Sequence, residues 1–283
     1  MKQRIFAILL ALVLLLSGCA AQKSEPSADI LATTAPMAQL VRAVTAGSGL
    51  TVATLISEPV SCVHDYTLSV EQMRAVESAQ LVVLNGAGLE EFMGDALASC
   101  ETVVDASEGL ALLPGEEGEF DPHVWLAPEN MIAMTSVVAS ALAAAYPQYA
   151  DLFAENADAW HAQLKALQDY GEAQLASLSC RKLVTFHDGF AYFAQAFDLE
   201  IAASMEIEAG SEPSARELEE IIALVRGQDI PAVFTEVNGT ADAAELVSRE
   251  TGCTVFSLDT GISTPDYFEA MRKNIDTVKE ALG

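Results

Sequence analysis

Four histidines occur in the chain, and three of them stand at strand ends or in loops, where side chains from separate segments can meet. His64 follows the second predicted strand. His123 lies in Phe120-Asp121-Pro122-His123-Val124-Trp125, and His187 closes the first predicted strand of the second half. Neutral imidazole is the commonest metal ligand, and three imidazoles with one carboxylate suit the tetrahedral preference of zinc. The carboxylate should also come from a strand end. Asp259, closing Val255-Phe256-Ser257-Leu258-Asp259, is the best candidate, with Glu236 behind it as a supporting acceptor or substitute ligand. His161, beside Trp160 and just off an apolar helical stripe, is assigned to the surface or to a supporting contact. Loop histidines are often satisfied without a metal, so residue types and positions alone leave the site open.

Rival chemistries have weaker signals. Gly86-Ala87-Gly88 follows a strand, but Glu91 occupies the third glycine position of a dinucleotide fingerprint. No H-E-x-x-H, G-x-S-x-G or phosphate-loop motif occurs.

The elements that must position these residues alternate from Asp29 onward, which predicts an α/β fold of two lobes, each a roughly four-stranded parallel sheet flanked by helices. The first half offers strands at Ile30 to Thr33, Val52 to Ile56, Leu81 to Leu84 and Thr102 to Asp105. The second offers Lys182 to Phe186, Ile201 to Met205, Ala232 to Thr235 and Thr254 to Leu258. In open parallel sheets ligands gather at the carboxyl ends of strands, where these histidines fall. Between the halves, Pro147 fits a first helical turn, and Phe153, Ala157, Trp160, Leu164 and Leu167 mark one apolar face. The pattern continues to about Leu178, with Gly171 as a point of bending. A helix of that span is roughly 45 to 50 Å long, a stiff backbone joining two lobes. The expected division is an N-terminal lobe at 29–145, the interlobe helix at 146–178 and a C-terminal lobe at 179–283. Val83-Leu84-Asn85-Gly86 and Glu236-Val237-Asn238-Gly239 each lead from a strand into a helix, a short echo between the lobes.

The first residues read as an address. Lys2 and Arg4 precede an apolar run from Ile5 to Leu16 that is too short to span a bilayer core of about 30 Å, so residues 1–18 read as a signal peptide. The ending Leu16-Ser17-Gly18-Cys19 resembles a bacterial lipoprotein box, with Cys19 lipidated and residues 19–28 as a tether. The implied location is extracytoplasmic, anchored to the membrane through that lipid only. Four further cysteines, Cys62, Cys100, Cys180 and Cys253, allow three pairings in an oxidising compartment, and none forms a C-x-x-C. A net charge of -27 argues against nucleic-acid or anionic-lipid partners.

The chain resembles the zinc and manganese substrate-binding lipoproteins of bacterial ABC importers. The resemblance is carried by Val63-His64-Asp65-Tyr66, Leu81 through Leu89, Asp121-Pro122-His123-Val124-Trp125-Leu126, Thr185-Phe186-His187, Glu212-Pro213-Ser214, and Tyr267 to Asn274, in order over about residues 29 to 282. It implies that His64, His123, His187 and Asp259 coordinate one divalent metal between the lobes. A histidine as third ligand goes with the zinc branch and a glutamate with the manganese branch, so His187 favours Zn²⁺ over Mn²⁺. Imidazole-rich sites suit zinc on chemical grounds as well. The chain departs from many zinc-type relatives in having no histidine in the loop from Pro114 to Glu119. The expectation is therefore a monomeric zinc receptor, not an enzyme, that serves an ABC permease. A manganese receptor, an adhesin and a metallohydrolase are the alternatives, the last requiring an open metal position and a base such as Glu236.

Overall fold

The computed structural model describes residues 28–58, 66–115, 119–205, 213–262 and 264–283. Strands β1 (Ile30–Ala32), β2 (Val52–Thr54), β3 (Leu81–Leu84) and β4 (Thr102–Asp105) form a parallel sheet in the order β2-β1-β3-β4. Strands β5 (Lys182–Thr185), β6 (Glu200–Ser204), β7 (Ala232–Glu236) and β8 (Thr254–Leu258) form a second, ordered β6-β5-β7-β8. The two lobes thus repeat one topology, and the strand echo read in the sequence falls on equivalent strands, β3 and β7. In both sheets the connections reverse direction between the two central strands, which opens a crevice at their carboxyl ends. Thr33 and Asn85 border that crevice in the first lobe; His187 and Glu236 border it in the second.

The residues explain the elements. The three residues of β1, the five of β7 and all but the last of β3 are buried, as expected for parallel strands covered on both faces. Helices α1 (Ala35–Val44), α2 (Val70–Ser78), α3 (Pro128–Ala145), α4 (Ala150–Leu175), α5 (Ala191–Ala196), α6 (Ala215–Gly227), α7 (Asp242–Thr251) and α8 (Tyr267–Leu282) supply that cover. Ser69 with Gln72 and Ser214 with Glu217 form reciprocal caps that start α2 and α6. Gly252, at φ 83°, takes the left-handed turn that ends α7.

The interlobe helix is shorter than its apolar pattern suggests. Pro147–Tyr149 form a separate 3-10 turn, and α4 then runs for 26 residues, about 39 Å at 1.5 Å per residue. It ends at Leu175 because the chain is already turning toward α8, where the Ser179 and Cys180 N–H groups donate to Leu282 O at 3.0 and 3.2 Å. The expected bend at Gly171 is also corrected, since α4 passes through it unbroken. A Cβ at residue 171 would lie 2.2 Å from Cε1 of Phe197, so this glycine admits a buried ring against the helix.

Phe153, Ala157, Trp160, Leu164 and Leu167 are buried along α4 as the spacing predicts. They belong to one contiguous core that includes Ile30, Val82 and Trp125 of the first lobe and Phe234, Leu258 and Tyr267 of the second. A smaller core, with Val184, Ile221, Val233 and Val247, lies under α6 and α7. Cys100, Cys180 and Cys253 are free thiols, so the pairings open to them in sequence are not made. Cys62 and the leader with Cys19 lie outside the described residues. Among the described residues, no helix is long and apolar enough to cross a membrane.

Candidate metal centre

Two of the candidate ligands meet. His123 Nε2 and His187 Nε2 are 3.3 Å apart, with ring centroids 5.2 Å apart and planes at 87°. Both rings are buried, His123 at 5% exposure and His187 at 7%. Two nitrogens each about 2.0 to 2.1 Å from a tetrahedral zinc lie ~3.3 to 3.4 Å apart, so the observed separation matches that of two imidazoles sharing one ion. It also suits a single N–H···N hydrogen bond between neutral rings. In either case the carboxylate of Asp121 settles the His123 tautomer. Its Oδ1 accepts the His123 backbone N–H at 2.9 Å and lies 2.8 Å from Nδ1. With Nδ1 donating to that oxygen, Nε2 presents a lone pair toward His187, as in carboxylate–histidine–metal arrangements.

Gly189 makes the approach possible. A Cβ there would crowd both rings, standing 2.7 Å from His187 Nε2 and 2.9 Å from His123 Nε2. His187 leaves the end of β5, and its Nδ1 lies 3.9 Å from Glu236 Oε2 at the end of β7. That is an ion-pair distance and too long for a hydrogen bond. The other Glu236 oxygen accepts from Thr260 Oγ1 at 3.0 Å. Glu236 therefore sits beside His187, whereas the sequence reading had set it behind Asp259.

Asp259 is half-buried just past β8, and both its oxygens have donors: Gly261 N–H to Oδ1 and Thr264 Oγ1 to Oδ2, each at 2.7 Å. Its peptide is bracketed by Asn274, which accepts from Asp259 N–H at 2.8 Å and donates to Asp259 O at 2.7 Å. His64 lies outside the described residues. Among the described residues no group of three or more histidine, cysteine or acidic side chains is gathered as a metal cage. His161 stands on α4 with Ser136 Oγ at 3.5 Å from its Nε2.

The His123 loop is anchored from the first lobe. Gly115 N–H donates to Glu119 O at 2.9 Å, and Asp121 N–H donates to Leu113 O at 3.0 Å. Asn85, fully buried after β3, donates to Pro122 O at 2.9 Å, one residue before His123. Gly86, Ala87 and Gly88 all have positive φ, and a Cβ at Gly86 would fall 1.7 Å from Asp105 Oδ1. The dinucleotide reading fails here for a visible reason. The N–H groups of Asn85 and Gly86 point at the buried Glu90 carboxylate, at 2.7 and 3.0 Å, and Thr33 Oγ1 adds a third bond at 2.6 Å. Sequence reasoning gave no role to Asp121, Asn274, Thr264 or Glu90. Only Asp121 carried a signal, a carboxylate two residues before a candidate histidine.

Burial pushes the Glu90 carboxyl up to about 7 from an ordinary 4.5, against three hydrogen bonds that favour its ionised form. Between those values the folded chain keeps a proton that the unfolded chain has released. Its contribution to stability is therefore full below about 4.5, falls as pH rises, and is lost above about 7, a change of order 3 kcal/mol. The fall in urea midpoint between about pH 5 and pH 8 is expected to be smaller in Glu90→Gln than in the wild type. An equal fall in both would mean that the three donors keep Glu90 ionised throughout.

A family model described as the periplasmic component A of a zinc-uptake complex matches residues 30–281. The zinc-binding protein TroA of Treponema pallidum is 31% identical over 239 residues, covering 77% of this chain and 78% of its own. The manganese-binding lipoprotein MntA of Bacillus subtilis is 28% identical across the whole of both chains. A crystal structure of ZnuA superposes with a TM-score of 0.81 at 28% identity, covering 90% of this chain and 99% of that one. With nearly all the described fold inside that match, the chain belongs to the family of periplasmic zinc-uptake component A proteins.

Proposed function

We propose that this chain is a lipid-anchored, extracytoplasmic receptor that captures Zn²⁺ and delivers it to an ABC permease. The observation that carries the reading is the buried meeting of His123 and His187, nitrogen to nitrogen at 3.3 Å. His64 and Asp259 complete the ligand set in this reading, and Glu236 supports His187 from outside it. A fully protein-supplied coordination sphere suits capture and release, whereas a hydrolytic metal needs a position left for water. The chain then acts as a receptor and catalyses nothing. Residues 1–18 supply the export signal and Cys19 the lipid anchor, and relatives named as lipoproteins support that placement. The boundaries 29–145, 146–178 and 179–283 accompany this reading as two metal-binding lobes and their connecting helix.

Manganese is the second reading, because relatives named for either metal are similar to this chain. An imidazole-rich site favours zinc between the two. Metal analysis of protein purified without chelator decides: the expected content is one zinc per chain. One manganese per chain would transfer the assignment, and no bound divalent metal after exposure to both would reject the receptor reading.

A further inference from the structure

Asp259 belongs to the second lobe by sequence, yet the turn that carries it is fastened to the first. Trp125 Nε1 donates to Thr260 O at 2.7 Å, and Tyr267 donates its hydroxyl to Trp125 O at 2.9 Å. The Ala35 N–H reaches Ile262 O at 3.4 Å. Gln39, on α1, uses both ends of its amide: Nε2 donates to Thr264 O at 3.1 Å, and Oε1 accepts from Tyr267 N–H at 2.7 Å. A single side chain thus closes on two backbone groups at the entry to α8, 225 and 228 residues away in sequence. Thr264, held by Gln39 at its carbonyl, is the same residue whose hydroxyl fixes Asp259 Oδ2 at 2.7 Å.

We propose that Gln39 is a positioning residue for metal binding, acting from the opposite lobe through Thr264 on the carboxylate of Asp259. This rests on the reading of Asp259 as a ligand. The physical basis is that a carboxylate ligand binds best when its orientation is fixed beforehand, and outer hydrogen-bond partners provide that fixing. Gln39 suits the task because its amide carries a donor and an acceptor in one plane, matched to a carbonyl and an N–H. Leucine has similar bulk and neither function. Glutamate keeps the acceptor for Tyr267 but removes the donor to Thr264.

The test measures zinc release from the zinc-loaded full-length mature chain into excess chromogenic chelator, for wild type, Gln39→Leu, Thr264→Val, the double variant and Asp259→Ala. Gln39→Leu is expected to speed release on the order of tenfold, the scale at which outer-shell partners matter. Because Gln39 acts through Thr264, the double variant should release zinc no faster than Thr264→Val alone. Wild-type release from Gln39→Leu, whatever its melting temperature, would overturn the proposal, as would effects that multiply in the double variant. Should Gln39→Leu fail to fold, Gln39→Glu is read by the same criteria. Asp259→Ala separates the two levels of inference. If it holds zinc as the wild type does, the ligand reading fails and Gln39 falls with it. If it loses zinc while the Gln39 variants do not, only the positioning role fails.

Discussion

Replacement of His187 by alanine is expected to weaken zinc binding by more than the roughly 10- to 100-fold typical of losing an outer-shell partner. The imidazole is buried at 7% exposure, faces His123 at 3.3 Å, and has Glu236 behind it. Its removal deletes a lone pair from the ligand set and leaves that buried carboxylate without the ring beside it. His187→Glu tests the metal assignment more sharply. In the proposed ligand set, three neutral imidazoles and Asp259 leave a formal charge of about +1 on a bound divalent ion, and the substitution makes the site neutral while exchanging a borderline nitrogen for a hard oxygen. The zinc-to-manganese affinity ratio should narrow without inverting, because zinc stands above manganese in the usual divalent order. His161→Glu serves as the control, since His161 lies on α4 against Ser136. Competition titrations of the three proteins check both points; an equal narrowing in His161→Glu would show that the ligands are misassigned.

Saturating zinc should raise the melting temperature substantially. The proposed ligand set draws on loops from both lobes, which only the folded chain can bring together, so a bound ion would stabilise that state by mass action. At a thousandfold excess over the dissociation constant the gain is about 4 kcal/mol. For a chain of this size that corresponds to roughly 7 °C. Calorimetry with and without zinc measures it, and His187→Ala at the same zinc concentration is expected to gain far less over its own metal-free midpoint. An unchanged midpoint in well-loaded wild type would remove the site altogether.

The fold was more legible than the site, for reasons visible in individual residues. Leu81–Leu84, Thr102–Asp105 and Thr254–Leu258 are short apolar or β-branched runs whose limits coincide with the observed strands. The long helix was overextended at both ends, at its start because Pro147–Tyr149 close a 3-10 turn of their own and at its end because the stop is not local. Its C-terminal limit is set where Ser179 and Cys180 bond to Leu282, over a hundred residues later. At the site, histidine is rare enough here for strand-end positions to make His123 and His187 candidates, and the fold brings those two rings together. Their supports are ordinary residue types. Thr264, Asn274 and Gln39 acquire meaning only through partners that the sequence does not juxtapose, and the Gln39 contacts span more than two hundred residues.

The contiguous core along α4 bears on how such a protein survives outside the cytoplasm, its proposed location. Proteases that act on transiently opened states cut in proportion to how often a segment opens. Two lobes with separate interiors would offer a seam that parts at low cost, whereas Leu164 and Leu167 belong to one contiguous core that includes residues of both sheets. Exposing either lobe's side of α4 therefore means disrupting the other's. A receptor waiting without cargo among secreted proteases would be protected by its architecture, before any metal adds to that protection.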